Sequence, residues 1–552
     1  MIKKGSPIRW IVMTVLGALL ALPLLAGQGE PKTAQDWLKA SQTAAFQTKD
    51  YKTALSDVEK AGAMAPRDLE VQEEFISLHR YITLVSMSHD EAWSQFLKLR
   101  KRYEKEARRE PKNALWQVLL GDVQFYENPK ASRKAYERAL ELDPKQTTAM
   151  RMLGIIAETK GDNALSQSYF KRAAATNPDD PKLASGYVGS LMDTDPEAFF
   201  AAAKDFIRRF PGSPQALEWY YWMGEKAGGD KGREIWKEAI DRYPIAKTSK
   251  EQMNWLSNCY DAYFESLQQD DPQAAEQFAR STMQTFHADA SQRKAWFERY
   301  RRQALLNLAV SARESGEPQQ GLSMLDLVGK GHQRIDPLAE TVAYERAMDQ
   351  AATGATHDAL DTLLKLLKDH PNPVAEAAYY SVAAKAGQSQ DEAQKALWKS
   401  RMADAKPMKD FALKDVNGKT VRLSDYRGKI VLVNFWYPSC GPCRGEFPHL
   451  ERVVEHFSGK PFVVLSLNTH PKEAYKVAGF MHRNDYHFTA LQTPGEEWCK
   501  KNYGVIGTPS NFLLDGEGRI VAEPRLYDTR LETQLEQQIG ELLARMNSGD
   551  GR

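Results

Sequence analysis

Cys440-Gly441-Pro442-Cys443 places two thiols two residues apart, directly after the apolar run Ile430–Trp436 (IVLVNFW) and Tyr437-Pro438-Ser439. At the start of a helix, this spacing lets two sulfurs close a disulfide with little backbone movement. The first thiol meets unpaired N–H groups and the positive end of the helix dipole, which draw its pKa from about 8.5 toward 7. Cys440 is therefore suited to attack a disulfide at neutral pH. Cys443, one turn further in, is shielded and can resolve the mixed disulfide from within. Pro442 stiffens the turn and lacks an N–H that a first helical turn leaves free in any case.

Other residues with chemical capacity read more plainly. A zinc site needs two further ligands at fitting spacing, and no second C-x-x-C is present. His449 and His456, both on the motif helix, are expected to face solvent rather than bind metal. Asp515-Gly516-Glu517-Gly518 lacks the full calcium-loop pattern and reads as a turn. A peroxidatic cysteine would have Thr three residues before it, where Tyr437 stands. Cys499, beside Trp498, and Cys259, inside an apolar helix, read as structural, unreactive thiols. No metal or cofactor is expected.

The elements that must hold the cysteine pair follow from periodicity and turn chemistry. Phe411–Leu413 and Val421–Leu423 flank Asn417-Gly418, a two-residue hairpin signal. Ile430–Trp436 reads as a strand buried on both faces. The helix after Cys440 is predicted to run through Phe457, with Phe447, Leu450, Val453 and Val454 on one face. Phe462–Leu467 is a second buried strand, followed by helices near Glu473–His482 and Glu496–Tyr503, then Thr508-Pro509. Ser510–Leu514 and Arg519–Val521 straddle Asp515–Gly518 as another hairpin, and a terminal helix is expected near Thr529–Met546. This order is that of an α/β thioredoxin fold.

The segment FALKDVNGKTVRLSDYRGKIVLVNFWYPSCGPCRGEFPHL resembles the TlpA/ResA-like thiol–disulfide oxidoreductases, an exported, usually membrane-tethered branch of the thioredoxin superfamily. The likeness spans residues 407–547. It rests on Gly-Lys before the strand, Asn-Phe-Trp, C-G-P-C, the Glu-Phe-Pro that follows, and Tyr-Gly-Val-x-Gly-Thr-Pro ending at Pro509. The resemblance implies that Pro509 is the cis-proline opposite the motif, with Thr508 offering main-chain contacts to an extended substrate. It places the family's glutamate at Glu446, where a carboxylate near the buried thiol can accept or return its proton. Asn434 stands where cytoplasmic thioredoxins keep a buried Asp, which leaves Glu446 as the proton carrier. Ser439 departs from the family's Trp before the first Cys, and loss of that indole is expected to open the surface beside Cys440. Gly441-Pro442 resembles the dipeptide of reducing members, implying a reductase.

Upstream, prolines set a period. Pro111, Pro144, Pro178, Pro211 and Pro244 are separated by 33, 34, 33 and 33 residues, and Pro337 and Pro371 repeat the 34 interval. Eight residues before four of these prolines stand Tyr136, Phe170, Ala203 and Trp236. Leu120-Gly121 recurs as Leu153-Gly154. A two-helix unit with a small residue at the helix crossing, and Pro ending the second helix, resembles the tetratricopeptide repeat. Residues 35–405 are thus expected to form an all-α repeat solenoid of roughly eight to ten helix pairs. The best matches lie in 113–178, and the period is lost between Pro244 and Pro337. Such an array offers a curved surface for a protein partner, or serves as a spacer.

Across 552 residues, 74 Lys+Arg stand against 73 Asp+Glu, so no electrostatic case for nucleic acid arises. Only 4 Cys exclude a disulfide-stapled scaffold. Lys3, Lys4 and Arg9 precede the apolar run Trp10–Ala26, so residues 1–29 read as a signal peptide or an N-terminal membrane anchor. No Cys follows to carry a lipid. Either reading puts the rest of the chain on the periplasmic or other extracytoplasmic side. The expected protein is a multidomain, exported thiol–disulfide oxidoreductase acting on protein or peptide disulfides. A membrane or exported donor would supply electrons, and the repeats would recruit a protein partner. The competing expectation is a repeat scaffold whose thioredoxin domain is a redox-gated dock without turnover.

Overall fold

Among the described residues, segments rich in Ala, Leu, Lys and Glu form twenty α-helices between Ala34 and Met402. These lie among the residues described in the computed structural model: 31–125, 128–286, 289–329, 338–525 and 531–548. The apolar run Trp10–Ala26 and the rest of 1–29 fall outside them, as does Pro337. No helix among the described residues is long and apolar enough to cross a membrane.

Local chemistry punctuates the pairs. Asn113 caps Ala114–Gln124 and Asn128 caps Pro129–Leu142, with Pro129 at the first helical turn. Pro144 stands two residues past that helix, and Pro178 two past Asn163–Thr176, where a proline cannot continue the helix. The recurring sequence marks meet in space. A Cβ on Gly121 would come within 2.5 Å of the Tyr136 ring, and one on Gly154 within 2.9 Å of Phe170. Each glycine thus admits an aromatic ring from the second helix of its pair. The period fails after Pro244 because the helices lengthen: Lys250–Asp270 has 21 residues and Ala290–Glu314 has 25.

The chain divides into two compact units between Cys259 and Tyr260. The second unit holds the later helices and an eight-stranded sheet of order β1-β8-β7-β4-β5-β6-β2-β3. Its strands are β1 (Lys406–Pro407), β2 (Ala412–Asp415), β3 (Thr420–Arg422), β4 (Ile430–Trp436), β5 (Phe462–Asn468), β6 (Thr489–Gln492), β7 (Ser510–Leu514) and β8 (Arg519–Arg525). The central β4 runs parallel to β5 and antiparallel to β7, and every one of its residues is buried. The sequence reading did not include β1 or β6. Both are short and are defined by pairing: β6 adds in parallel to β5, and β1 lies on the edge beside β8, where Pro407 is tolerated.

Two apolar layers cover the sheet. Gly441–His456, Ala474–Arg483 and Leu531–Ser548 pack on one face, and Glu496–Tyr503 on the other. The last helix of the repeat region, Gln390–Met402, joins the first layer through Trp398. Arg545 lies over the Trp398 ring at 4.2 Å, and Arg401 pairs with Glu541 of the C-terminal helix.

Candidate redox site

Alternation along β4 sends Ile430, Leu432 and Trp436 to the layer beneath Gly441–His456, and Val431, Val433 and Phe435 to the other. Asn434 shares the first face, so one amide enters an otherwise apolar layer. Trp436 closes the strand with its ring 4.5 Å from Phe447 and 5.2 Å from Phe480. This gives the Tyr437-Pro438-Ser439 turn a rigid origin.

Cys440 is the N-cap of Gly441–His456, and its Sγ accepts the Cys443 N–H at 3.2 Å. Cys440 and Cys443 form a disulfide with their Cα atoms 5.3 Å apart. A sulfur in the N-cap position sees the unpaired N–H groups and the helix dipole, the arrangement that stabilises a thiolate once the bond is reduced. Cys443 is fully buried, and Cys440 is only 3% exposed. Ser439, which stands in place of the family's indole, is exposed beside this buried pair. Other contacts close the turn: Ser439 is tied to Glu473, and the Tyr437 ring lies 3.8 Å from that of His470.

Thr508 faces the sulfur from across the site. Its Oγ1 donates toward Cys440 Sγ at 3.6 Å, and its carbonyl oxygen is 3.8 Å from the same atom. The Thr508–Pro509 peptide is cis. Glu446, one turn beyond Cys443 and on the same side of the helix, is completely buried. Asn434 Nδ2 donates to its carboxylate at 2.8 Å, and Asn511 Nδ2 donates to the other oxygen. Burial pushes the Glu446 carboxyl up to about 8, against the downward pull of both amides. A group titrating near neutrality can both hold and release a proton.

The structure thus gathers Cys440, Cys443, Glu446 and Thr508-Pro509 around the first turns of one helix. Asn511, Glu473, Lys476 and His470 join them without having been read from the sequence. Only Asn511 carried a signal: it is a polar residue in an apolar strand, two after Pro509, and it faces Asn434 in the β4–β7 register. Of the two motif-helix histidines, His456 is exposed as expected, whereas His449 is half-buried. His449 Nδ1 lies 2.9 Å from Glu532 and His456 Nδ1 lies 3.5 Å from Glu536, because the C-terminal helix covers that side. Cys499 and Cys259 are buried and unpaired in any disulfide. Burial pushes the Cys499 thiol up to about 11 and Cys259 well above its ordinary value, so both stay protonated at neutral pH.

Comparison with known proteins adds to this geometry. Residues 405–523 match the AhpC/TSA family. The chain is 30% identical over 139 residues to the thiol-disulfide oxidoreductase ResA of Bacillus thuringiensis subsp. konkukian, which spans 25% of this chain and 78% of that relative. Against ResA of Bacillus subtilis it is 30% identical over 123 residues, 22% of this chain and 68% of the relative. Among solved structures, the thioredoxin domain of a thiol-disulfide oxidoreductase from Bacteroides vulgatus is 26% identical. That match covers 24% of this chain and 96% of the other, with a TM-score of 0.22. The disulfide at a helix start, the thioredoxin-type sheet around it and the extent of the ResA likeness agree. Through its C-terminal domain, the chain belongs to the ResA-like thiol–disulfide oxidoreductases.

Proposed function

We propose that the protein is an exported reductase of protein disulfides. The observation that carries this reading is the Cys440–Cys443 disulfide at a helix N-terminus, with a buried carboxyl one turn behind it. In the reduced protein, the Cys440 thiolate attacks a substrate disulfide. A bond forms between Cys440 Sγ and one substrate sulfur, while the other substrate sulfur leaves with the electron pair and takes a proton. Glu446 accepts the proton of Cys443, whose sulfur then attacks Cys440. That step closes the Cys440–Cys443 disulfide and releases the second substrate thiol. Two electrons and two protons from a membrane or exported dithiol donor restore the reduced pair.

Thr508 and Pro509 position the substrate by main-chain contacts along an extended segment. Residues 407–547 carry the reaction. Residues 35–405, as a tetratricopeptide-like array, hold a protein partner in their groove, and 1–29 export or tether the chain. Support for the direction comes from the Gly-Pro dipeptide, and support for the address from Lys3, Lys4 and Arg9 before the apolar run.

Two assays test the reading together. The wild-type protein is expected to reduce insulin in the presence of a dithiol, and Cys443→Ala is expected to accumulate mixed disulfides with exported proteins. Failure of both would replace the enzyme with a redox-gated dock that does not turn over.

A further inference from the structure

The turn that precedes Cys440 is held by an ion pair, buried at Glu473 and half-buried at Lys476, that plays no part in the steps above. Glu473 is 4% exposed, and its Oε2 accepts the Ser439 N–H at 3.0 Å and the Ser439 hydroxyl at 2.6 Å. Lys476, on the first turn of Ala474–Arg483, places Nζ 3.4 Å from the same oxygen and 3.0 Å from Ser439 Oγ. The residue receiving all of this is the one bonded to Cys440. A negative charge is therefore fixed against the backbone of the residue that precedes the attacking one, near the helix end that supplies positive potential. A like charge disfavours a thiolate, and a neighbouring cation favours it.

We propose that the Glu473–Lys476 pair, acting through Ser439, sets the acidity of Cys440: Glu473 opposes its ionisation and Lys476 supports it. Both are positioning residues that touch no substrate atom. The consequence rests on the reductase reading. A dithiol whose thiolate is less stabilised gives up its electrons more readily, so Glu473 biases the pair toward reduction of the substrate.

Other groups around the turn set a common baseline. Tyr437 stacks near His470, whose Nε2 lies 3.2 Å from Glu496. Burial favours the neutral form of His470. Arg444 and Glu446 lie on the motif helix itself. None of these is altered in the variants below, so each cancels in the comparison.

The test is the pH dependence of Cys440 alkylation in the reduced full-length protein, read by mass spectrometry. Glu473→Gln keeps an oxygen for Ser439 but removes the charge, and should lower the midpoint by about half a pH unit. Lys476→Met leaves the carboxylate without its cation and should raise the midpoint by a similar amount. Opposite signs are the signature of a charge effect, because a loosened clamp would move both variants the same way. Shifts of equal sign, or no shift in either, overturn the proposal. Should Glu473→Gln fail to fold, Lys476→Met decides alone: a rise supports the pair, and a fall or no change sinks it. None of these outcomes alters insulin reduction by the wild type or trapping by Cys443→Ala, so the reductase reading is judged separately.

Discussion

Among the described residues, Glu446 has the amides of Asn434 and Asn511 as its hydrogen-bond partners and no cation beside it. Removing a carboxylate from water costs more than two amide hydrogen bonds return, so its pKa rises from the ordinary carboxyl value to about 8. A carboxyl raised on folding favours the native state at low pH, and that contribution is lost as pH climbs through the folded value. Oxidised wild type should therefore lose stability relative to Glu446→Gln between pH 5 and pH 8, measurable by urea unfolding at each pH. In the reduced enzyme, Glu446→Gln should slow exchange at pH 7 by about 100-fold and flatten its dependence across pH 6–9. An unchanged profile would remove Glu446 from proton transfer. Asn511→Leu should cost about 1–3 kcal/mol, because it strips a donor from a buried carboxyl. Cys440 and Cys443 were legible because their spacing at a helix start is itself the signal, and Glu446 through the family resemblance that places a glutamate there. Glu473 lies 34 residues from Ser439 and Asn511 lies 65 from Glu446, so their partners exist only once the sheet forms.

β4 shows when an element is readable. A strand buried on both faces must be apolar throughout, and Ile430–Trp436 is bounded in the structure where its composition changes. β6 has only Thr489–Gln492 and follows no period of its own; its conformation is imposed by β5. Helix faces are legible only until another element covers them. The surface of the motif helix bearing His449 and Arg452 reads as polar, yet it binds Glu532 of the C-terminal helix. In the repeat region, the Leu-Gly and aromatic marks were visible as spacing, and their meaning is contact. Gly121→Val drives a branched side chain into the Tyr136 ring and should destabilise that helix pair by about 1–3 kcal/mol, seen as a lower thermal midpoint in far-UV circular dichroism. A neutral effect would show that the crossing has slack.

At the scale of the molecule, near-neutral charge and length pointed to several folded parts without saying how they join. Within the second unit the join is a packed one. Trp398 enters the layer that also holds Cys440 and Cys443, and Arg401, 7% exposed, is neutralised by Glu541. Trp398→Ala should therefore lower the stability of the sheet domain by about 2 kcal/mol, read in near-UV circular dichroism of the full chain. No local pattern announces such docking, since Gln390–Met402 reads as one more amphipathic helix. All the chemistry proposed for this protein nonetheless depends on one ionised sulfur, and alkylation of the reduced full-length protein across pH measures it directly. The account predicts that Cys440 reacts with a midpoint near 7 or below while Cys443 stays unmodified. A midpoint near the free-thiol value of about 8.5, or modification of Cys443 first, would contradict it.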